Sequence, residues 1–231
     1  MSSSSSPAKF ILFDLDGTLI DGVDDLVAAM NLVLADQGLE PIARAELEPM
    51  LGDGMKVLTQ RVFAAKGRAI EGAELDELAR DYLAAYKATE YRHTRLFDGV
   101  AETLRALRDA GWAIGLASNK MTVPCEEILR RLEVLELFGT VAGGDAAGVR
   151  KPDAGHLRHA LARLGYDAVR GDHAVMVGDH ANDVLAARGC GITAIAVAFE
   201  TDPTRARSLG ADAVVTDFRT LPAVLEQLAV A

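Results

Sequence analysis

The chain has 231 residues, half of them apolar and a quarter charged, with 34 acidic against 24 basic side chains and a formal net charge of −10 at pH 7. That length is enough to bury a substantial core, as one large domain or a domain carrying an insertion, and the acidic balance disfavours the run of phosphate-neutralising contacts that nucleic-acid binding needs. No segment reaches the ~18 continuous apolar residues of a membrane span and the serine run at residues 2–6 has neither the basic start nor the apolar stretch of a secretion signal, so the expected setting is cytoplasmic, with no membrane partner.

Residues 1–8 read as a disordered tail. Phe10-Ile11-Leu12-Phe13 then forms an apolar run with the character of a buried strand, and it ends in Asp14-Leu15-Asp16-Gly17-Thr18. Polar residues at the end of a central strand fall in the crevice at the carboxyl edge of an open α/β sheet, where such folds bind ligands. Beyond Asp21 the pattern turns helical: Leu26, Met30, Val33 and Leu34 share a face, and Gly38 is a plausible stop. Helices are expected near 43–50, 55–66 and 73–91, punctuated by Pro41 and Pro49, with no convincing strand, so residues 20–95 read as an all-α block. From Phe97 onward helices alternate with short apolar strands at 113–117, 140–142, 174–177, 193–198 and 213–215. Such alternation marks a doubly wound parallel sheet. The expected architecture is therefore a Rossmann-like α/β core, residues 9–19 and 96–231, interrupted after its first strand by an all-α cap, residues 20–95.

Four strand ends carry polar groups suited to a phosphate site. The first holds Asp14 and Asp16, two carboxylates two residues apart. The second is Ser118-Asn119-Lys120, which offers a hydroxyl, an amide and backbone N–H groups where a helix begins. The third leads through Gly143-Gly144-Asp145 to Lys151-Pro152, a lysine able to neutralise a transferring phosphoryl group. The fourth is Gly178-Asp179-His180-Ala181-Asn182-Asp183, whose two aspartates lie one helical turn apart and can face one crevice. Each has an ordinary alternative: a surface turn, an N-cap by Ser118, Asn119 or Asp179, and a solvated lysine. His180 invites a role as base, but a histidine in a helix's first turn is more commonly structural. Cys125 and Cys190 are too few for a disulfide framework or a zinc cluster, and neither is a catalytic candidate.

Taken in order, Asp14-x-Asp16-Gly17-Thr18, Ser118, Lys151 and Gly178-Asp179-x-x-x-Asp183 resemble the four motifs of the haloacid dehalogenase-like hydrolases. Leu51-Gly52-Asp53-Gly54 and Ser118-Asn119-Lys120 resemble the phosphoglycolate phosphatases within that superfamily. Ala154 departs from the pattern, since relatives often carry a second proline there. The resemblance implies a phosphomonoester hydrolase in which Asp14 attacks phosphorus to form an aspartyl-phosphate and Asp16 is the acid/base. It further implies an Mg²⁺ ion held by the Asp14 carboxylate, the Asp16 backbone carbonyl and Asp179. Ser118, Asn119 and Lys151 would bind the phosphoryl oxygens, Asp183 would orient Lys151 or metal-bound water, and the cap would act as a lid. The implied partner is a small phosphorylated metabolite, 2-phosphoglycolate first, with muramic acid 6-phosphate, sugar phosphates and pyrophosphate as alternatives. The protein itself would be a monomer or homodimer.

Single positions separate this reading from others. Dehalogenases and phosphonate hydrolases lack the aspartate found here at Asp16. Sugar phosphomutases carry a cap histidine where this chain has Leu26. A receiver domain, which holds its phosphoryl group without turnover, is about half this length and carries its acceptor on a middle strand. Arg44, Lys56 and Arg61 are candidates to meet a substrate carboxylate, although cations on a helical face are ordinarily just solvated.

Overall fold

The computed structural model describes residues 8–199 and 203–229. The tail expected over residues 1–8 lies outside them except for Ala8, whose N–H donates to Asp172 Oδ1 at 2.9 Å and whose carbonyl accepts from His173 N at 2.9 Å. The chain begins with β1 (Lys9–Phe13), in which Phe10 to Phe13 are buried and alternate between two faces. It continues through β2 (Ile20–Asp21), α1 (Val23–Asp36), α2 (Arg44–Leu47), α3 (Met55–Ala65), α4 (Gly72–Ala88) and β3 (Arg95–Leu96). Then come α5 (Val100–Asp109), β4 (Trp112–Ala117), α6 (Thr122–Arg131), β5 (Thr140–Ala142), α7 (Ala154–Leu164) and β6 (His173–Gly178). The chain closes with α8 (Ala181–Cys190), β7 (Thr193–Val197), α9 (Pro203–Ser208), β8 (Ala213–Val215) and α10 (Leu221–Ala229).

These elements divide into two compact units, one running to Ile20 and resuming at Leu96, the other covering Asp21–Arg95. The first is an α/β unit built on a six-stranded sheet in the order β5-β4-β1-β6-β7-β8, with every pair parallel. Parallel strands need crossovers, and the helices between them cover both faces. Phe10 and Leu12 join a core with Leu157 and Leu161 of α7 and Val184 and Ala187 of α8. Phe13 faces the other way, with its ring 5.8 Å from that of Phe218. The order places β1 between β4 and β6, so successive crossovers leave β1 in opposite directions. That is a topological switch point, which opens a crevice at the carboxyl ends of β1 and β6.

The second unit is helical. Leu75, Leu78, Tyr82 and Tyr86 of α4 are buried on one face, and the Tyr82 hydroxyl donates to Leu26 O of α1 at 3.2 Å. Asp25 is buried on α1 and accepts from His93 N at 3.0 Å and Thr94 Oγ1 at 2.7 Å.

Two details differ from the sequence expectation. Residues 20–95 were expected to hold no strand, yet β2 and β3 pair as a two-stranded sheet; runs of two residues carry no periodicity to read. The helix expected to reach residue 91 stops at Ala88, because Glu90 and Tyr91 adopt positive φ of 55° and 53°, which a right-handed helix excludes. No helix among the described residues is long and apolar enough to cross a membrane.

Candidate active site

The end of β1 delivers Asp14, whose N–H continues the sheet by donating to Val177 O of β6 at 2.9 Å. The chain then reverses within a few residues: Gly17 N donates to Ile20 O at 3.0 Å, and Gly17 has φ +77°, a conformation that favours glycine. A Cβ on Gly17 would stand 2.4 Å from Asp179 Oδ2, so the turn and the carboxylate at the end of β6 are in direct contact. Gly178 has the same relation to Asp183, whose Cγ would lie 2.2 Å from an added Cβ. The two glycines leave room for the two aspartates.

Lys151 reaches this crevice from the loop after β5. Its side chain is 1% exposed, with Nζ 2.9 Å from Asp14 Oδ1 and 2.6 Å from Asp183 Oδ1. Burial by itself would push the ammonium down, but Asp14 and Asp183 override it and hold Lys151 above its ordinary value, so the cation persists. Asp183 uses its other oxygen to accept from His180 N at 3.0 Å, which fixes its carboxylate between a helix start and the lysine. Asp179 accepts from the Thr18 hydroxyl at 3.0 Å. Burial first, then the charges of Asp14 and Asp183, push the Asp179 carboxyl up to about 8.

Asp14, Asp179 and Asp183 each present an oxygen within 4.8 Å of the others. An oxygen-only set of closely spaced carboxylates, two of them buried, is matched to a hard divalent cation such as Mg²⁺ and poorly matched to metals that prefer nitrogen or sulfur. The Asp16 side chain turns elsewhere: Oδ2 is 2.9 Å from Lys120 Nζ, and Oδ1 is buried without a hydrogen-bond partner.

Ser118 and Asn119, at the end of β4, are both buried. Ser118 N donates to Ala142 O at 3.0 Å, and the Asn119 side-chain amide donates to Lys151 O at 2.9 Å, tying the β4 and β5 exits together. Asp14, Asp16, Ser118, Asn119, Lys151, Asp179 and Asp183 thus all lie at the carboxyl edge of the α/β unit, around an anionic cluster into which Lys151 is inserted.

The model of the haloacid dehalogenase-like hydrolases matches residues 11–197, from the first strand to the seventh. The chain belongs to that family. It is 35% identical over 218 residues to a phosphoglycolate phosphatase of Agrobacterium fabrum, covering 94% of this chain and 92% of the relative. Among solved structures it is similar to that of a predicted phosphoglycolate phosphatase from Haemophilus somnus, with a TM-score of 0.85 and 25% identity over 94% of this chain and 98% of that one. It is also similar to CbbY from Rhodobacter sphaeroides in complex with phosphate, with a TM-score of 0.77 and 26% identity over 93% and 96% of the two chains.

Within this hydrolase fold, His180 has a structural place. Its Nδ1 accepts from Asn182 N at 3.2 Å, capping α8. Cys125 is buried with its Sγ directed at Lys120 O, and burial pushes its thiol up, away from reactivity. The three cations of the helical unit expected as candidates for a substrate carboxylate are paired inside that unit: Arg44 with Asp21 and Asp24, Lys56 with Asp76, and Arg61 with Asp53. Two site residues escaped the sequence reading as individuals. Thr18 and Lys120 sit inside motifs, but Thr18 meets a partner 161 positions away and Lys120 one 104 positions back, and no local pattern signals either contact.

Proposed function

We propose that the protein is a Mg²⁺-dependent phosphomonoester hydrolase acting on 2-phosphoglycolate through an aspartyl-phosphate. The observation that carries the reading is Lys151, a buried cation shared by Asp14 at 2.9 Å and Asp183 at 2.6 Å beside a third, half-buried carboxylate, Asp179. Asp14 and Asp179, with the Asp16 backbone carbonyl, would hold the metal, which when bound offsets repulsion between an anionic nucleophile and a phosphate dianion.

An Asp14 carboxylate oxygen forms the new bond to phosphorus as the bond to the leaving oxygen breaks, and Asp16 gives that oxygen its proton. In the second half Asp16 takes a proton from water, the water oxygen bonds to phosphorus, and phosphate leaves as the Asp14 carboxylate is restored. Lys151 and Ser118 bind phosphoryl oxygens, with Asn119 steadying the Lys151 loop beside them. Asp183 keeps Lys151 aimed at Asp14. The choice of 2-phosphoglycolate is supported by the name of the Agrobacterium fabrum relative, and phosphate binding by this fold is supported by the structure of CbbY in complex with phosphate.

The test is phosphate release across a panel of 2-phosphoglycolate, sugar phosphates, muramic acid 6-phosphate, pyrophosphate and nucleoside monophosphates. The expected result is the highest kcat/KM for 2-phosphoglycolate, with essentially no turnover in Asp14→Asn or in excess chelator. Preference for a hexose or amino-sugar phosphate overturns the substrate, and turnover in Asp14→Asn overturns the nucleophile.

A further inference from the structure

The crevice holds a second buried cation. Lys120 follows β4 directly, and its side chain is 7% exposed although Asp16, its partner at 2.9 Å, is 25% exposed. A lysine ordinarily keeps its strongly hydrated ammonium in water and covers only its stem. Covering the whole side chain is costly unless the charge meets anions. The position is also built in from behind: Lys120 O accepts from Gly144 N at 2.8 Å, and a Cβ on Gly144 would stand 2.6 Å from Asn119 O. Lys151 already supplies the cation beside Asp14, where the phosphoryl group would be held.

We propose that Lys120 receives the carboxylate of the leaving group and is the residue that selects a substrate with an anion one carbon from the ester oxygen. This rests on the reading of 2-phosphoglycolate as substrate and names what recognises it. To protonate the leaving oxygen, Asp16 has to lie within hydrogen-bond reach of it. In 2-phosphoglycolate a single methylene separates that oxygen from the carboxylate, so the second anion is brought beside Asp16. Two carboxylates there repel each other. A cation held against Asp16 removes that conflict and turns it into selection, because a leaving group without a charge leaves the buried ammonium with less to bind. Asp16 and Lys120 thus act as a pair on the leaving group, as Asp14 and Lys151 act on phosphorus.

The experiment compares the full-length wild type with Lys120→Gln and Lys120→Arg, using 2-phosphoglycolate, its neutral amide 2-phosphoglycolamide, and ethyl phosphate, with kcat and KM resolved for each. Any loss common to all three substrates reports on Asp16; the ratio between carboxylate and amide reports on recognition. Lys120→Gln is expected to lower that ratio by about 10²-fold, mainly through KM for 2-phosphoglycolate. Lys120→Arg, which keeps the charge, is expected to retain most of the preference. An unchanged ratio in Lys120→Gln overturns the proposal, whether activity falls uniformly or stays put. If Lys120→Gln does not fold, Lys120→Met is measured against the same outcomes. A wild type with no preference for carboxylate over amide overturns the 2-phosphoglycolate reading and the proposal with it, whereas a wild-type preference that survives Lys120→Gln overturns the proposal alone.

Discussion

Lys151 owes its charge to two carboxylates, and the place of one of them, Asp183, depends on a residue with no reactive chemistry, Gly178. Because a Cβ there would overlap Asp183 Cγ at 2.2 Å, the strand end and the carboxylate cannot both keep their positions if any side chain is added. Gly178→Ala is expected to push Asp183 off Lys151, costing about 1–3 kcal/mol of stability as overpacking does and more than about 10²-fold in kcat through the misplaced cation. Thermal unfolding together with steady-state kinetics checks both. Activity near wild type in a folded Gly178→Ala would show that the Asp183–Lys151 contact is dispensable.

At the scale of elements, the start of β1 is tied to the start of β6 by a single carboxylate. Asp172 accepts from Ala8 N at 2.9 Å, Asp167 N at 2.9 Å and Arg170 Nε at 2.8 Å. The Arg170 guanidinium, with those backbone N–H groups, holds the Asp172 carboxyl well below the usual carboxylate range. A depressed carboxyl contributes stability that is fully present above its unfolded value, about 3.9, and is lost as pH falls below it. Asp172→Asn should therefore lower Tm at neutral pH, with the gap to wild type closing below about pH 4. Melting curves across pH 3 to 8 test this, and a gap that stays constant into acid would remove Asp172 from that role.

At the scale of the whole molecule, the sheet order brings Asp14 from the first strand and Asp179 from the sixth to one switch point. Three carboxylates converge there, with oxygens within 4.8 Å of one another, so a divalent cation that binds only the folded chain would stabilise it. Mg²⁺ at about 100 times its Kd should stabilise the fold by about 2.7 kcal/mol, a rise of about 5–10 °C in Tm for a chain of this length. Chelation should reverse it. Asp179→Asn removes the proposed metal ligand at a position where burial and the neighbouring carboxylates already disfavour the charged form, and is expected to abolish the metal-induced rise while leaving the metal-free Tm no lower than wild type. A full Mg²⁺ response in Asp179→Asn would place the ion elsewhere.

The α/β class and the residues at the four strand ends were legible in the sequence because their signals are local. Apolar runs of strand length, helices between them and polar punctuation at each exit are patterns of neighbouring residues. The pairs β2 with β3, Thr18 with Asp179 and Lys120 with Asp16 were not legible, because each joins positions whose separation carries no periodicity. Nor could the chain alone distinguish a solvated lysine from Lys151, since most lysines are solvated and only burial against two carboxylates makes this one different. By itself, then, the sequence determined which groups arrive at the carboxyl edge of the sheet. The tertiary structure decided which of them share a charge, because distance and burial between strands far apart in the chain exist only once the sheet has formed.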